Sequence, residues 1–215
     1  MVQGLFAPTL ESAGVVNEDF IAICEKGVYA YYNIREDKQF GQYQMAGTFI
    51  DGNAAVRMNG KWGIVDTKGD TVVEPSYDDI LLDSQGRYIN QSVILAKRDG
   101  KYHLLDSKWN PVNDFSCDNA DMVTEDGIFA YSVNGKWGFA DTKGNVIIEP
   151  TYEGAKSFSN GLAAVCIKGV WGFINRDRTI VIPCQFLDAD YFSIDGGCMI
   201  RTTEESWKLL LLNIK

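Results

Sequence analysis

Two stretches of this 215-residue chain are near copies of each other: NGKWGIVDTKGDTVVEPSY from Asn59 to Tyr77, and NGKWGFADTKGNVIIEPTY from Asn134 to Tyr152. A third, KGVWGFINRDRTIVIPCQF from Lys168 to Phe186, keeps the frame with drift. Weaker copies begin at Lys26 (KGVYAYYN), Asp99 (DGKYHLLD) and Glu205 (ESWKLLLLN). The aromatic ring common to them falls at Tyr29, Trp62, Tyr102, Trp137, Trp171 and Trp207, at intervals of 33, 40, 35, 34 and 36 residues. A period of this length, sustained over nearly the whole chain, means one supersecondary unit repeated. Each unit can bury its apolar face only against its neighbours.

Each copy reads as three strands. The first is apolar, as in Ala54-Ala55-Val56-Arg57-Met58 or Leu162-Ala163-Ala164-Val165-Cys166, and runs into a pair such as Asn59-Gly60 or Asn134-Gly135. Asn-Gly accepts positive φ at both central positions, as a type I′ hairpin requires. The second strand carries the ring; alternation places Trp62 and Ile64 on one face and Lys61 and Gly63 on the other. Gly63 and Gly138 then mark a close approach, for which the expected occupant is an aromatic ring from a neighbouring strand or repeat. The turns Asp66-Thr67-Lys68-Gly69 and Asp141-Thr142-Lys143-Gly144 suit an Asp that accepts backbone N–H groups. A third strand, Thr71–Val73 or Val146–Ile148, is expected to stop at Glu74-Pro75 or Glu149-Pro150, because Pro lacks an N–H. Tyr77 and Tyr152 are expected to fold back onto the core.

Six such units are expected in a single domain spanning 1–215, near 20–46, 53–80, 92–118, 128–155, 161–187 and 196–213. The segment Phe6–Ala13 aligns without gaps to Ile148–Ala155, setting Pro8 on Pro150 and Ala13 on Ala155. Residues 5–13 are therefore read as the split last strand of the sixth unit. The fold class is all-β, with six antiparallel three-stranded repeats. A closed, β-propeller-like ring is favoured over an open superhelical stack, because closure leaves no bare sheet edge.

These motifs, KWG followed by DTKG and then EPTY, resemble the WG-repeat family of bacterial proteins. The resemblance is strong in the second and fourth copies, fair in the fifth and weak elsewhere. It implies a binding or scaffold module from a bacterium or its phage, and supplies no catalytic residues.

Composition narrows the function. The formal net charge is −9, which disfavours direct binding to nucleic acid or anionic membrane and suits a basic partner. No stretch is long and apolar enough to span a membrane, and MVQGLFAPTLESAG lacks the basic start and apolar run of a signal peptide. The five cysteines, Cys24, Cys117, Cys166, Cys184 and Cys198, include no CxxC pair. They read as buried thiols in a reducing, cytoplasmic setting, with neither zinc nor any other cofactor. The single His103 reads as structural. Asp66, Asp106 and Asp141 recur with the repeat and so read as turn residues, not as paired catalytic carboxylates. The chain is therefore not expected to be an enzyme.

Specific function is expected where the repeat decays. From Trp109 to Gly135 there is no Lys or Arg. The stretch holds Asp114, Asp118, Asp121, Glu125 and Asp126, with Trp109 and Phe115 as aromatic anchors. A shorter acidic run, Glu74, Asp78, Asp79 and Asp83, precedes it. These features point to a protein-interaction module with an electronegative docking face, in its sharpest form a stand-alone inhibitor or immunity-type protein covering a basic partner. The alternative is a small-ligand or carbohydrate binder that uses the repeat aromatics.

Overall fold

The paired left-handed residues anticipated from Asn-Gly are present. Asn59 and Gly60 have φ of 51° and 79°, and Asn134 and Gly135 have 53° and 74°. Asp99-Gly100, Lys168-Gly169 and Lys26-Gly27 adopt the same pair of conformations. Each such pair joins two six-residue strands in the type I′ geometry that matches strand twist.

The computed structural model describes residues 10–193, 195–203 and 206–212. Among these residues every regular element is a strand, and the strands form antiparallel sheets in chain order. The first sheet is β1 (Leu10–Ala13), β2 (Phe20–Glu25), β3 (Val28–Asn33) and β4 (Lys38–Tyr43). The second is β5 (Met45–Ala46), β6 (Asn53–Met58), β7 (Lys61–Asp66) and β8 (Thr71–Tyr77). The third group is β9 (Asp79–Ile80), β10 (Val93–Arg98), β11 (Lys101–Asp106) and β12 (Pro111–Cys117). The fourth is β13 (Asn119–Ala120), β14 (Ile128–Val133), β15 (Lys136–Asp141) and β16 (Val146–Tyr152). The fifth is β17 (Gly154–Ala155), β18 (Leu162–Ile167), β19 (Val170–Asn175) and β20 (Ile180–Phe186). The last is β21 (Asp188–Ala189), β22 (Gly197–Thr203) and β23 (Ser206–Leu211).

The chain divides into two compact units. One contains 1–89 and 96–100, the other 90–95 and 101–215. The division passes through β10. In the first unit β9 pairs with β10 through Ala96↔Ile80; in the second β11 pairs with β12 through Tyr102↔Cys117.

Four expectations are corrected. A sheet typically has four strands, because one residue beyond each outer strand the chain adds a two-residue strand to the next sheet. Thus Gly154 and Ala155 pair with Cys166 and Val165. The split-strand assignment of 5–13 changes in the same way. Residues 5–9 lie outside the described residues, and β1 pairs with β2 of the first sheet, Ala13 opposite Ile23. Nor does the outer strand stop at Pro. β8 runs through Pro75 to Tyr77 and β16 through Pro150 to Tyr152.

The pairing behind the third supplies the fourth. Trp62 pairs with Tyr77, yet Ile64, two residues on, pairs with Val73, four residues back. The outer strand therefore carries a β-bulge at Glu74-Pro75, where no ladder N–H is required of Pro. This bulge, not a ring, is what presses on the Gly. A Cβ at Gly63 would stand 2.5 Å from the Val73 carbonyl oxygen and 2.9 Å from the Pro75 nitrogen. Gly138 meets Ile148 and Pro150 in the same way, and Gly172 lies against the backbone of Ile182 and Cys184. Tyr77 does fold onto the core and is 5% exposed.

Within each unit the core lies between successive sheets. Phe49, in the loop after β5, stacks on Phe20 and Tyr31 with centroids 4.5 and 4.6 Å away. Phe158 lies 4.9 Å from Phe139, and Phe192 lies 4.8 Å from Phe173. The central strands consequently bury both faces: Trp62, Gly63, Ile64 and Val65 are all buried.

Replacing Gly63 or Gly138 with Ala forces the bulge backbone to move, since a carbonyl oxygen cannot rotate away as a side chain would. We expect each substitution to cost about 2 kcal/mol or more. Urea denaturation would show this as a lower midpoint at unchanged slope; an unaltered midpoint would contradict the bulge contact.

Candidate functional site

The acidic segment 109–126 lies in the second unit. It begins at the turn after β11. Asp106 Oδ1 accepts the N–H groups of Lys108 and Asn110, each at 2.9 Å. Trp109 sits between them with φ of 67° and a half-buried side chain. The same turn recurs with Asp66 and Asp141, and with Asn33 and Asn175 as the acceptor. The recurring aspartates are thus turn residues. The backbone N–H of Asn110 is the main force holding the Asp106 carboxyl below its ordinary range, with a further bond from Lys108. His103 stands on β11 opposite Ser116 and is half-buried.

The carboxylates of the segment divide into two kinds. Asp118 immediately precedes β13; it pairs with Lys101 and accepts the Asn134 N–H at 2.7 Å, capping the type I′ turn of the next hairpin. The position is used throughout. Gln44 accepts from Gly60, Glu153 from Gly169 and Glu11 from Gly27. Asp78 pairs with Lys61, which is the principal cause of its lowered pKa, helped by the N–H groups of Gly100 and Asp99. Asp126 accepts the Gly161 N–H at 2.9 Å and pairs with Arg176 at 3.3 Å. Glu18 likewise accepts from Asp51 and Gly52. Asp121 takes the Ser157 N–H at 2.7 Å and the hydroxyl of Tyr191. Burial first, then the Asp121 charge, raises the Tyr191 pKa and keeps that hydroxyl a donor. Asp114 and Glu125 are of the second kind, exposed and without an ion pair among the described residues. Phe115 is half-buried, edge-on to Phe129 and Tyr131 at 5.5 and 5.2 Å. Sequence reasoning grouped these acids as one surface. The structure assigns Asp118, Asp121 and Asp126 to links between repeats and leaves Asp114 and Glu125 facing solvent.

A second feature was missed. In the second unit a recess of about 340 Å³ is lined by Trp137, Trp171, Asp121, Lys156, Asp188 and Gly154. The rings are legible as repeat positions; their partial exposure is not. In the first unit a recess of about 720 Å³ is lined by Trp62, Arg57, Lys97, Asp78 and Leu82 among others. The ring of Trp62, only 4% exposed, offers it no open face.

Cys166 and Cys184 are pushed above the ordinary thiol range by burial, and Cys198 is raised to about 11 chiefly for the same reason. All five cysteines are free. Among the described residues no group of three His, Cys, Asp or Glu side chains is placed to hold a metal ion. No helix among them is long and apolar enough to cross a membrane.

Small antiparallel sheets following one another in chain order, most built on the same ring, turn and bulge, define an all-β repeat protein. The chain belongs to the WG-repeat family: the WG containing repeat matches residues 40–62, 62–102, 137–171 and 171–201, together more than half of the chain. No curated protein matches it in sequence. In structure it is similar to the β-propeller Hsv2 of Kluyveromyces lactis, at TM-score 0.57 and 10% identity over 94% of this chain and 74% of that one. It is also similar to Hsv2 of Kluyveromyces marxianus, at TM-score 0.60 and 11% identity over 92% and 70%. Such likeness speaks for the fold alone.

The lowered carboxyls give a signed expectation for pH. A group whose folded pKa is depressed adds stability above its unfolded value, near 3.9, and loses it as pH falls through the folded value. Stability should therefore fall on acidification below about pH 4, as Asp106 and Asp78 become protonated. Asp106→Asn keeps the acceptor oxygen that Asn33 and Asn175 use. Thermal melts of that variant between about pH 5 and 2 should show a shallower loss than wild type; an identical slope would remove Asp106 from the account.

Proposed function

We propose that this protein is a non-catalytic protein-binding module that meets a basic partner through segment 109–126. The observation that carries the reading is the division of carboxylates. Asp118, Asp121 and Asp126 are fixed by backbone N–H groups, while Asp114 and Glu125 stand exposed in a stretch without Lys or Arg. Fixed charges of one sign steer a cationic surface at little ordering cost, and the half-buried Trp109 and Phe115 supply apolar contact. In its finer form the partner is a basic, nucleic-acid-binding enzyme that the module covers and inhibits. A cytoplasmic setting is part of this proposal and is supported by the five free thiols.

The test is affinity capture from an extract of the source cells, identification of the retained protein, and titration of the purified pair. Asp114→Lys with Glu125→Lys should leave melting unchanged and weaken binding at least about tenfold at low salt, mainly through the association rate. Undiminished binding would reject this surface.

We also propose that the six sheets close into a ring. Ala46-x-x-Phe49, Ala155-x-x-Phe158 and Ala189-x-x-Phe192 each seat a ring on the preceding sheet. The same spacing in the first repeat gives Ala13-x-x-Val16. Val16 is 52% exposed, and Leu209, at the position of Phe139 and Phe173, is 61% exposed. Closure would pair these two. Deleting residues 2–8 should then lower the melting temperature by several degrees and raise binding of a hydrophobic dye; unchanged melting would favour the open stack.

A further inference from the structure

We infer that the recess on the second unit floored by Trp137 and Trp171 is a binding site for a neutral sugar ring. This goes beyond the protein-binding reading of 109–126 and does not rest on it. The first observation concerns one glycine. The residue that opens the short first strand is Met45, Asp79, Asn119 and Asp188 in four sheets, and Gly154 in the fifth. A Cβ at Gly154 would lie 2.9 Å from the outer edge of the Trp171 indole. The glycine thus lets that indole lie against the backbone of β17. Its backbone is not left-handed, so the absent side chain serves the ring and not the turn. Trp171 and Trp137 remain half-buried, whereas Trp62 at the same repeat position is almost wholly covered. The fifth repeat therefore keeps a partly exposed indole where the second does not.

The second observation is the polar rim. Lys156 stands 5.3 Å from the centre of the Tyr191 ring. Asp121 is fixed by Ser157 and Tyr191, and Asp188 accepts the Ala189 N–H at 2.9 Å with Arg201 4.0 Å away. One ammonium and two carboxylates thus line a single recess of about 340 Å³. Each of these charges already has a partner within the protein: Asp121 the Ser157 N–H and the Tyr191 hydroxyl, Asp188 the Arg201 guanidinium, and Lys156 the Tyr191 ring, so the rim offers an ionic ligand no unmatched counter-charge. A neutral ring that stacks its C–H face on an indole and carries hydroxyls able both to donate and to accept meets no like charge. The volume falls in the range of small-molecule sites, where a mostly apolar floor binds and a few polar groups orient.

The experiment uses the full chain and three probes, the methyl glycosides of glucose, galactose and N-acetylglucosamine. Each is followed by saturation-transfer NMR and by tryptophan fluorescence up to about 20 mM, where even millimolar affinity is visible. At least one should bind, with transfer strongest to the C–H face of the ring. Gly154→Asn places the residue of the preceding repeat, Asn119, at this position. It should leave the melting temperature near wild type and weaken binding at least about tenfold. The proposal is overturned if none of the three binds, if Gly154→Asn leaves the affinity unchanged, or if glucuronate or arginine methyl ester binds the recess more tightly than the neutral glycosides.

Discussion

The structure depends on aromatic rings that one repeat places on the central strand of the sheet before it. Tyr31, Phe139 and Phe173 each receive such a ring, from Phe49, Phe158 and Phe192, at centroid distances below 5 Å. A single antiparallel sheet this small buries too little apolar surface to stand alone. At these three junctions the ring pair makes one sheet a wall for the next, and it is why the central strands there bury both faces rather than one. The remaining devices hold that stack in register: tight hairpins, bulged outer strands, and side chains reaching from one repeat to the turns of the next.

Much of this was legible in the sequence, for a definite reason. Where a residue type is demanded by its own backbone, the letters announce the structure. Asn59-Gly60 and Asn134-Gly135 require positive φ, and Asp66, Asp106 and Asp141 serve N–H groups within four residues. Where the demand comes from a distant backbone, the same letters mislead. Gly63 was read as space for a ring because a strand glycine usually marks close approach; the approaching group is the carbonyl of Val73. Pro75 was read as a stop because it lacks an N–H; the bulge makes that N–H unnecessary. The short strands β5, β9, β13, β17 and β21 are two residues long and carry no periodicity to read.

The acidic segment teaches the same lesson about charge. Asp118 and Asp126 look in sequence like neighbours of Asp114 and Glu125. In space they are held by turns 16 and 35 residues further on. Their partners could be found only by noticing that Glu153, Gln44 and Glu11 occupy the place of Asp118 in other repeats, and Glu18 that of Asp126. A carboxylate engaged by a backbone N–H spends its lone pairs within the molecule, while its charge is still felt by whatever approaches. The segment can therefore be structural in its bonds and electronegative in its field.

The bulge contact has a further consequence for how such repeats can vary. Gly63 and Gly138 are each opposed by an outer-strand Pro at the bulge, and Gly172 by Cys184, which directly follows Pro183. In the third repeat the Gly position is His103, the register shift falls between His103 and Leu105, and β12 has no Pro after its first residue. Glycine and bulge thus form one two-part character shared between strands. Losing the glycine obliges the opposing strand to move its extra residue, and moving it frees the proline. Drift in the third repeat is then a coordinated change of two strands that preserves the sheet.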